Sequence, residues 1–244
     1  MIFDLTVAAV GVVAGAIAAV AGFGIGSLLT PTLAVQTGTK VAVAAVAIPH
    51  FLGTLQRYWL LRQHVDRRVL LGFGLTSAAG GLAGALAHVW LSSRVLAIVF
   101  GALLILAAIA EVTGWMEKVR WGRRVAWLAG ALSGAFGGLV GNQGSIRSAA
   151  MLGFDVPKES FVATATAIGL FVDGARLPVY LFTQWRDIVE VWPLLVAATA
   201  GVVVGTALGA RVLKRIPQTI FRRLIAVLLF ALGIYMTFAG GKQD

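Results

Sequence analysis

Apolar residues run along this chain in long, nearly unbroken blocks, and the polar ones gather in short clusters between them. A helix needs about 20 residues to cross the hydrocarbon core of a bilayer. Blocks at 41–61, 69–91, 94–113, 160–182, 189–210 and 219–239 have that length, and each predicts one transmembrane helix. Two further blocks, Leu5 to Gln36 and Val125 to Leu152, are too long for one span and too short for two spans and a turn. Each is interrupted by a glycine-rich string, GFGIGS in the first and GNQGS in the second. Three glycines at every second position, followed by Pro31, are poor material for a helix interior. Each block is therefore either one long broken helix or a re-entrant hairpin that enters and leaves on the same side.

The basic residues decide between these topologies. With both interrupted blocks folded as hairpins, 13 Lys and Arg, from Arg62 to Arg223, fall on one side of the membrane and 4 (Lys40, Arg94, Arg186 and Lys242) on the other. If the second block crosses fully, the bias disappears. The excess of Lys and Arg on cytoplasmic loops then favours hairpins, with both termini outside, but constrains the first block less, since almost no charge precedes it, and leaves a broken full span open there. Tryptophans agree with this placement. Trp59, Trp115, Trp121 and Trp127 fall near the inner boundary, and Trp90, Trp185 and Trp192 near the outer one.

Composition narrows the class. Of 244 residues, 59% are hydrophobic and 12% charged, and mean hydropathy is +0.91, which marks an integral membrane protein. The opening MIFDLTVAAV has no basic n-region, so a cleaved signal peptide is not expected. The net charge of +10 comes from the loop clusters and reads as a topology signal, with no nucleic-acid partner expected. Without Cys there is no thiolate metal site, disulfide or thiol relay. No strand precedes GFGIGS and no Walker lysine follows it, so it is not a nucleotide loop. No His/Asp/Glu cluster has metal-ligand spacing. No enzyme activity, cofactor or metal is expected.

The chain also resembles itself. Gly26-Ser27 matches Gly144-Ser145, an offset of 118, and Lys40-Val-Ala then falls on Lys158-Glu-Ser. Two halves, 1–118 and 119–244, each contain one interrupted block and three spans. An odd number of crossings per half sets the halves in opposite orientation, and inverted repeats are a hallmark of secondary transporters that bind substrate between broken helices. The expected fold is an all-α integral membrane protein of about eight hydrophobic segments, forming one membrane domain.

Each break should release a helix N-terminus, which carries unpaired N–H groups and about half a positive charge. In opposed repeats the two N-termini can face each other across the midplane. Gly24, Gly26 and Gly144 let a ligand approach backbone. Ser27, Asn142, Gln143 and Ser145 add side-chain donors around what reads as a small-anion site. Arg147, the one charge inside the second break region, is costly in a membrane and should face a cavity or a partner. Asp173 and Arg176 lie three apart on one helix face, as a structural ion pair or with Asp173 as counter-ion to Arg147 or proton carrier. His50, beside Pro49, is the candidate that titrates near neutral pH. Arg57 and Glu111 lie near the inner boundary, where snorkelling accounts for them.

The string AGAIAAVAGFGIGSLLTPTLAVQTGTKVAVAAVAIP, with a second half that repeats it, resembles the TauE/SafE sulfite exporter family, also called the toluene sulfonate uptake permeases. The resemblance covers essentially the whole chain and rests on Gly22, Gly24, Gly26, Pro31 and Leu33. Members commonly carry G-x-G-G-G in both halves. Here Ile25 stands inside the first copy, Asn142 and Gln143 replace glycine in the second, and Ala149 stands where proline is expected. The resemblance implies transport of a sulfur-containing anion, such as sulfite, sulfoacetate or another organosulfonate, across a bacterial inner membrane. It leaves open transport direction, a proton or sodium as coupling ion, and a homodimer. A passive anion channel and a non-transporting membrane interaction protein are the alternatives.

Overall fold

The computed structural model describes residues 2–114, 123–151, 154, 156–213 and 217–240. Helices make up nearly all of them, in the order α1 (Ile2–Ala21), α2 (Ile25–Leu61), α3 (Arg67–Trp90), α4 (Ser93–Thr113), α5 (Arg123–Val140), α6 (Gly144–Met151), α7 (Lys158–Thr183), α8 (Trp185–Glu190), α9 (Trp192–Leu213) and α10 (Gln218–Ala239). Among the described residues seven helices are long and apolar enough to cross a membrane, and a shorter apolar one covers Val125–Val140. The chain is a multi-pass membrane protein. Trp59, Trp90, Trp127, Trp185 and Trp192 are all well exposed at its surface. Trp115 and Trp121 lie outside the described residues.

The six uninterrupted blocks become helices within about three residues of the expected limits. Sequence patterning missed α8, a short connector before Trp192, and a single 3-10 turn at Arg62–His64. The interrupted blocks both break where the glycines stand. After Ala21 the chain turns at Gly22 (φ 80°) and Gly24 (φ 129°) before α2 begins. After Val140 it turns at Gly141 (φ 75°) before α6. In both places a left-handed glycine closes the preceding helix, with Gly22 N–H donating to Ala18 O and Gly141 N–H to Gly137 O, each at 3.0 Å.

α2 is two pieces. Gly38 (φ 73°, ψ 162°) breaks the helix into a short arm and a span. Unbroken, its 37 residues would run about 55 Å, far beyond a bilayer core. The break is pinned where other helices end. Lys40 N–H donates to Ser93 Oγ at 3.1 Å, Lys40 Nζ to Val89 O at 2.7 Å and Thr39 Oγ1 to Gly240 O at 2.6 Å. α1 enters alongside α9, reverses at Gly22–Gly24, and its return arm ends at Gly38.

Glycines set how closely the helices approach. A Cβ on Gly11 or Gly15 would strike the backbone of α9, and on Gly201 or Gly205 the backbone of α1. The same holds between α3 and α5, at Gly80, Gly84, Gly134 and Gly138. Spacing by four puts these residues on one face, the small-xxx-small pattern of membrane helix pairs. The first helix of each half thus packs on a late helix of the other, running parallel to it, and α4 packs on α10. At the centre α2 and α7 run antiparallel, for His50 meets Asp173 while Arg57 meets Thr166.

Candidate functional site

The two breaks meet inside the protein. Gly26 lies so close to Gly141 that a Cβ on it would clash with the Gly141 carbonyl, and Gly144 stands against Phe23. The released N-termini of α2 and α6 therefore face one pocket, lined by Gly22, Phe23, Gly24, Gly26, Ser27, His50, Gly141, Asn142, Gln143, Gly144 and Arg147. Of the eight residues expected to hold substrate, seven line it. The eighth, Ser145, follows Gly144 in α6, and its side chain lies outside the described residues. The pocket has about 10 Å³ of free volume, room for about one water.

Arg147 is the dominant charge in the pocket and is only 4% exposed. Its Nη2 donates to Gly22 O at 3.3 Å, across from the first break, while Nε and Nη1 have no partner among the described residues. Asn142 Nδ2 and Gln143 Oε1 are likewise buried and unpartnered. Gln143 holds its place through its backbone, whose carbonyl accepts from Ser133 Oγ and Arg147 N, each at 3.0 Å. Unmet buried donors cost about 1–3 kcal/mol each, more when charged, and Arg147 and Asn142 leave such donors at this pocket. The pocket is donor-rich and positive.

Behind it lies a charged chain. His50 Nδ1 is 2.7 Å from Asp173 Oδ2, and Asp173 Oδ1 accepts from Arg176 Nε at 3.0 Å and Nη2 at 2.9 Å. Arg176 Nη1 continues to Gly137 O at 2.9 Å, and Tyr180 OH donates to Gly138 O. Asp173 and Arg176 are the ion pair that their spacing suggested. Asp173 is not the direct counter-ion of Arg147, because both its oxygens are turned to His50 and Arg176.

Arg57 corrects the reading from sequence. It does not snorkel to the membrane surface; it is buried, 6% exposed, and donates from Nη1 to Ala18 O and from Nε to Thr166 Oγ1 at 3.1 Å. Ala18 and Gly137 are each the residue whose carbonyl accepts from a break glycine. Arg57 and Arg176 thus fasten the two breaks in the same way, and each stands as far along the chain from its break glycine as the other does. The matching pairs lie one residue further apart than the Gly-Ser pairs used to align the halves. That register was the signal that could have found Arg57. Glu111, by contrast, does sit at the periphery, accepting from Arg222 Nε at 2.9 Å.

A larger cavity of about 470 Å³ lies between α1, α9 and α10. Every residue lining it is apolar or glycine, so it offers nothing to hold an anion.

A family model described as Sulfite exporter TauE/SafE matches residues 7–236. The chain belongs to the TauE/SafE family. The match spans both breaks and all the spans just described, so the TauE/SafE assignment applies to the whole membrane domain. No curated protein and no solved structure matches the chain.

Proposed function

We propose that this TauE/SafE protein is a secondary transporter of a small sulfur-containing anion, sulfite or an organosulfonate, held between the two helix breaks. Family membership supports a membrane transporter, and the family name points to sulfur oxyanions. The single observation that carries the site is Arg147, buried in the pocket with Nε and Nη1 unpartnered. Nε and Nη1 sit on different edges of the guanidinium, so each offers its own charged N–H to an oxygen of a sulfonate or sulfite. Asn142 Nδ2 and the N-termini of α2 and α6 supply further donors to the same anion.

A pocket with room for one water is too small for a four-atom anion, so binding must move the breaks apart. The close contacts at Gly26–Gly141 and Phe23–Gly144 are the ones that open. The two breaks come from opposite halves of the chain. Alternating access follows if each half carries its break with it, the anion remaining between them. The family resemblance supports the bacterial inner membrane as the location, and the loop charges support an orientation with both termini outside.

The test is a thermal-shift screen of the purified protein against sulfite, alkyl sulfonates, sulfate and carboxylates. The expected result is a rise in melting temperature with sulfite or sulfonates that exceeds that with carboxylates. Flux in proteoliposomes should then saturate with anion concentration. No stabilisation by any of these anions would overturn the reading, and non-saturating flux would make the protein a channel.

A further inference from the structure

We propose that His50 takes up a proton when the anion binds, so that anion and proton occupy the pocket together. This rests on the anion site just described. His50 lines the pocket, with its Cδ2 edge beside Gly26, while Nδ1 lies 2.7 Å from Asp173 Oδ2. A carboxylate can only accept, so in the neutral ring the proton sits on Nδ1 and points at Asp173. The other nitrogen, Nε2, then carries a bare lone pair, next to Cδ2 on the pocket edge of the ring.

That lone pair is wrong for an anion and right for a proton. Beside an anion's oxygens it is one acceptor against another. Protonated, Nε2 becomes an N–H donor and adds a positive charge to the pocket, so the anion favours the charged ring. Linkage makes this reciprocal: whatever the proton adds to anion affinity, the anion adds to proton affinity. The balance is simple. One proton leaves the aqueous phase from which the anion enters, one N–H bond forms at Nε2, and no other bond changes.

The neighbours fix where this can happen. The charged groups facing His50 are Asp173 and Arg176 from α7, Arg147 from α6 across the pocket, and Arg57 from its own helix. The α1, α5 and α9 residues nearby are apolar, glycine or hydroxyl-bearing. Arginine stays protonated throughout the physiological range. Asp173 is committed on both oxygens. Imidazole is the side chain whose ordinary titration falls between about pH 5 and 8, and His50 is the one that lines this pocket.

The pocket and the fastening of the second break also share Asp173. The carboxylate that receives His50 holds Arg176, and Arg176 holds Gly137 O at the end of α5. A charge gained at His50 therefore reaches, through two bonded partners, the helix end from which the second break starts.

The experiment is calorimetric titration of the wild-type protein with methanesulfonate, whose sulfonate group stays ionised throughout. Buffers of different ionisation enthalpy, from about pH 5.5 to 8.5, count the protons taken up per anion. The expected result is an uptake that peaks between the free and anion-bound titrations of the ring, with Kd rising by up to tenfold per pH unit over that window. His50→Gln keeps a donor in the pocket but does not titrate, so its Kd should lose that slope. Anion binding with no proton uptake at any pH would overturn the proposal, as would the wild-type slope persisting in H50Q. If H50Q fails to fold or bind, the wild-type proton count decides alone. No heat of binding at any pH would instead strike at the anion reading itself, with a thermal shift by sulfite as the independent check.

Discussion

Arg57 and Arg176 do the same work in the two halves of this protein, each donating to a carbonyl that also accepts from a break glycine. Around that common fastening the halves differ. Three residues before Arg176 stands Asp173, which ties it to His50; three before Arg57 stands Thr54, whose hydroxyl has no partner among the described residues. At the first break Phe23 occupies the position that Asn142 takes in the second, counting from Gly22 and Gly141. The pocket wall is exchanged as well. His50 comes from the long helix of the first half, while the matching position of the second half is Gly169. A Cβ there would meet Arg147 Nη1 at 2.9 Å. One half supplies a titratable ring where the other supplies room for a guanidinium. The lesson is that the two halves fasten their breaks alike and line the pocket differently: the fastening is shared, and the charged and polar side chains around it are not.

The largest effect should come from removing the second half's charge. Arg147→Ala is expected to weaken sulfonate binding by about two orders of magnitude, the value of charged hydrogen bonds that are lost together. The variant should remain folded, since among the described residues the Arg147 side chain makes one bond, to Gly22 O, and its backbone bond to Gln143 O is kept. Arg147→Lys should recover part of the affinity and none of the two-point geometry. Equal affinity in wild type and R147A would end the claim that the halves are unequal in binding. Titration calorimetry with methanesulfonate reads both.

A smaller effect, about tenfold, is expected of Gly169→Ala. The new methyl displaces the Arg147 guanidinium without removing its charge, so affinity should fall while stability is nearly unchanged. Asn142→Leu should cost about tenfold, the low end for one hydrogen bond to a charged group. Phe23→Leu at the corresponding place in the first break should leave affinity where it was. A Phe23 effect as large as that of Asn142 would mean that both breaks contribute side chains equally.

The smallest contrast is in stability. Gly22→Ala forces an ordinary residue into the left-handed region, costing about 1–2 kcal/mol, but its Cβ would meet open space. Gly141→Ala carries the same strain and also brings a Cβ to 3.2 Å from Arg176 Nη1. Its melting temperature should therefore fall further than that of Gly22→Ala. The reverse order would show that the Arg176 fastening does not hold the second break.

Much of this architecture was legible in the sequence, and the reason is the bilayer. A span has a fixed length and must be apolar throughout, so 94–113 or 219–239 can be read directly as helices. The breaks were legible for a different reason: glycines at Gly22 and Gly141 have no business inside a buried apolar run unless the backbone turns there. The pocket residues followed from the breaks. Arg57 was not legible, because an arginine four residues from a helix end is compatible with snorkelling, and only the other half shows what it bonds. Aligning on Gly-Ser rather than on the turning glycines hid that Arg57 and Arg176 are counterparts. The partner of Asp173 was hidden too, since His50 lies on a different helix and meets it only because α2 and α7 cross antiparallel.

The most direct test of a site between two breaks uses the chain's lack of cysteine. Single substitutions Ser27→Cys at the first break, Asn142→Cys at the second and Gln63→Cys on the exposed turn after α2 can each be labelled with a maleimide without background. Labelling rates measured with and without methanesulfonate should change at both Ser27→Cys and Asn142→Cys and stay constant at Gln63→Cys. Unchanged rates at both break positions, under conditions where the anion stabilises the protein, would place the ligand elsewhere and contradict the account.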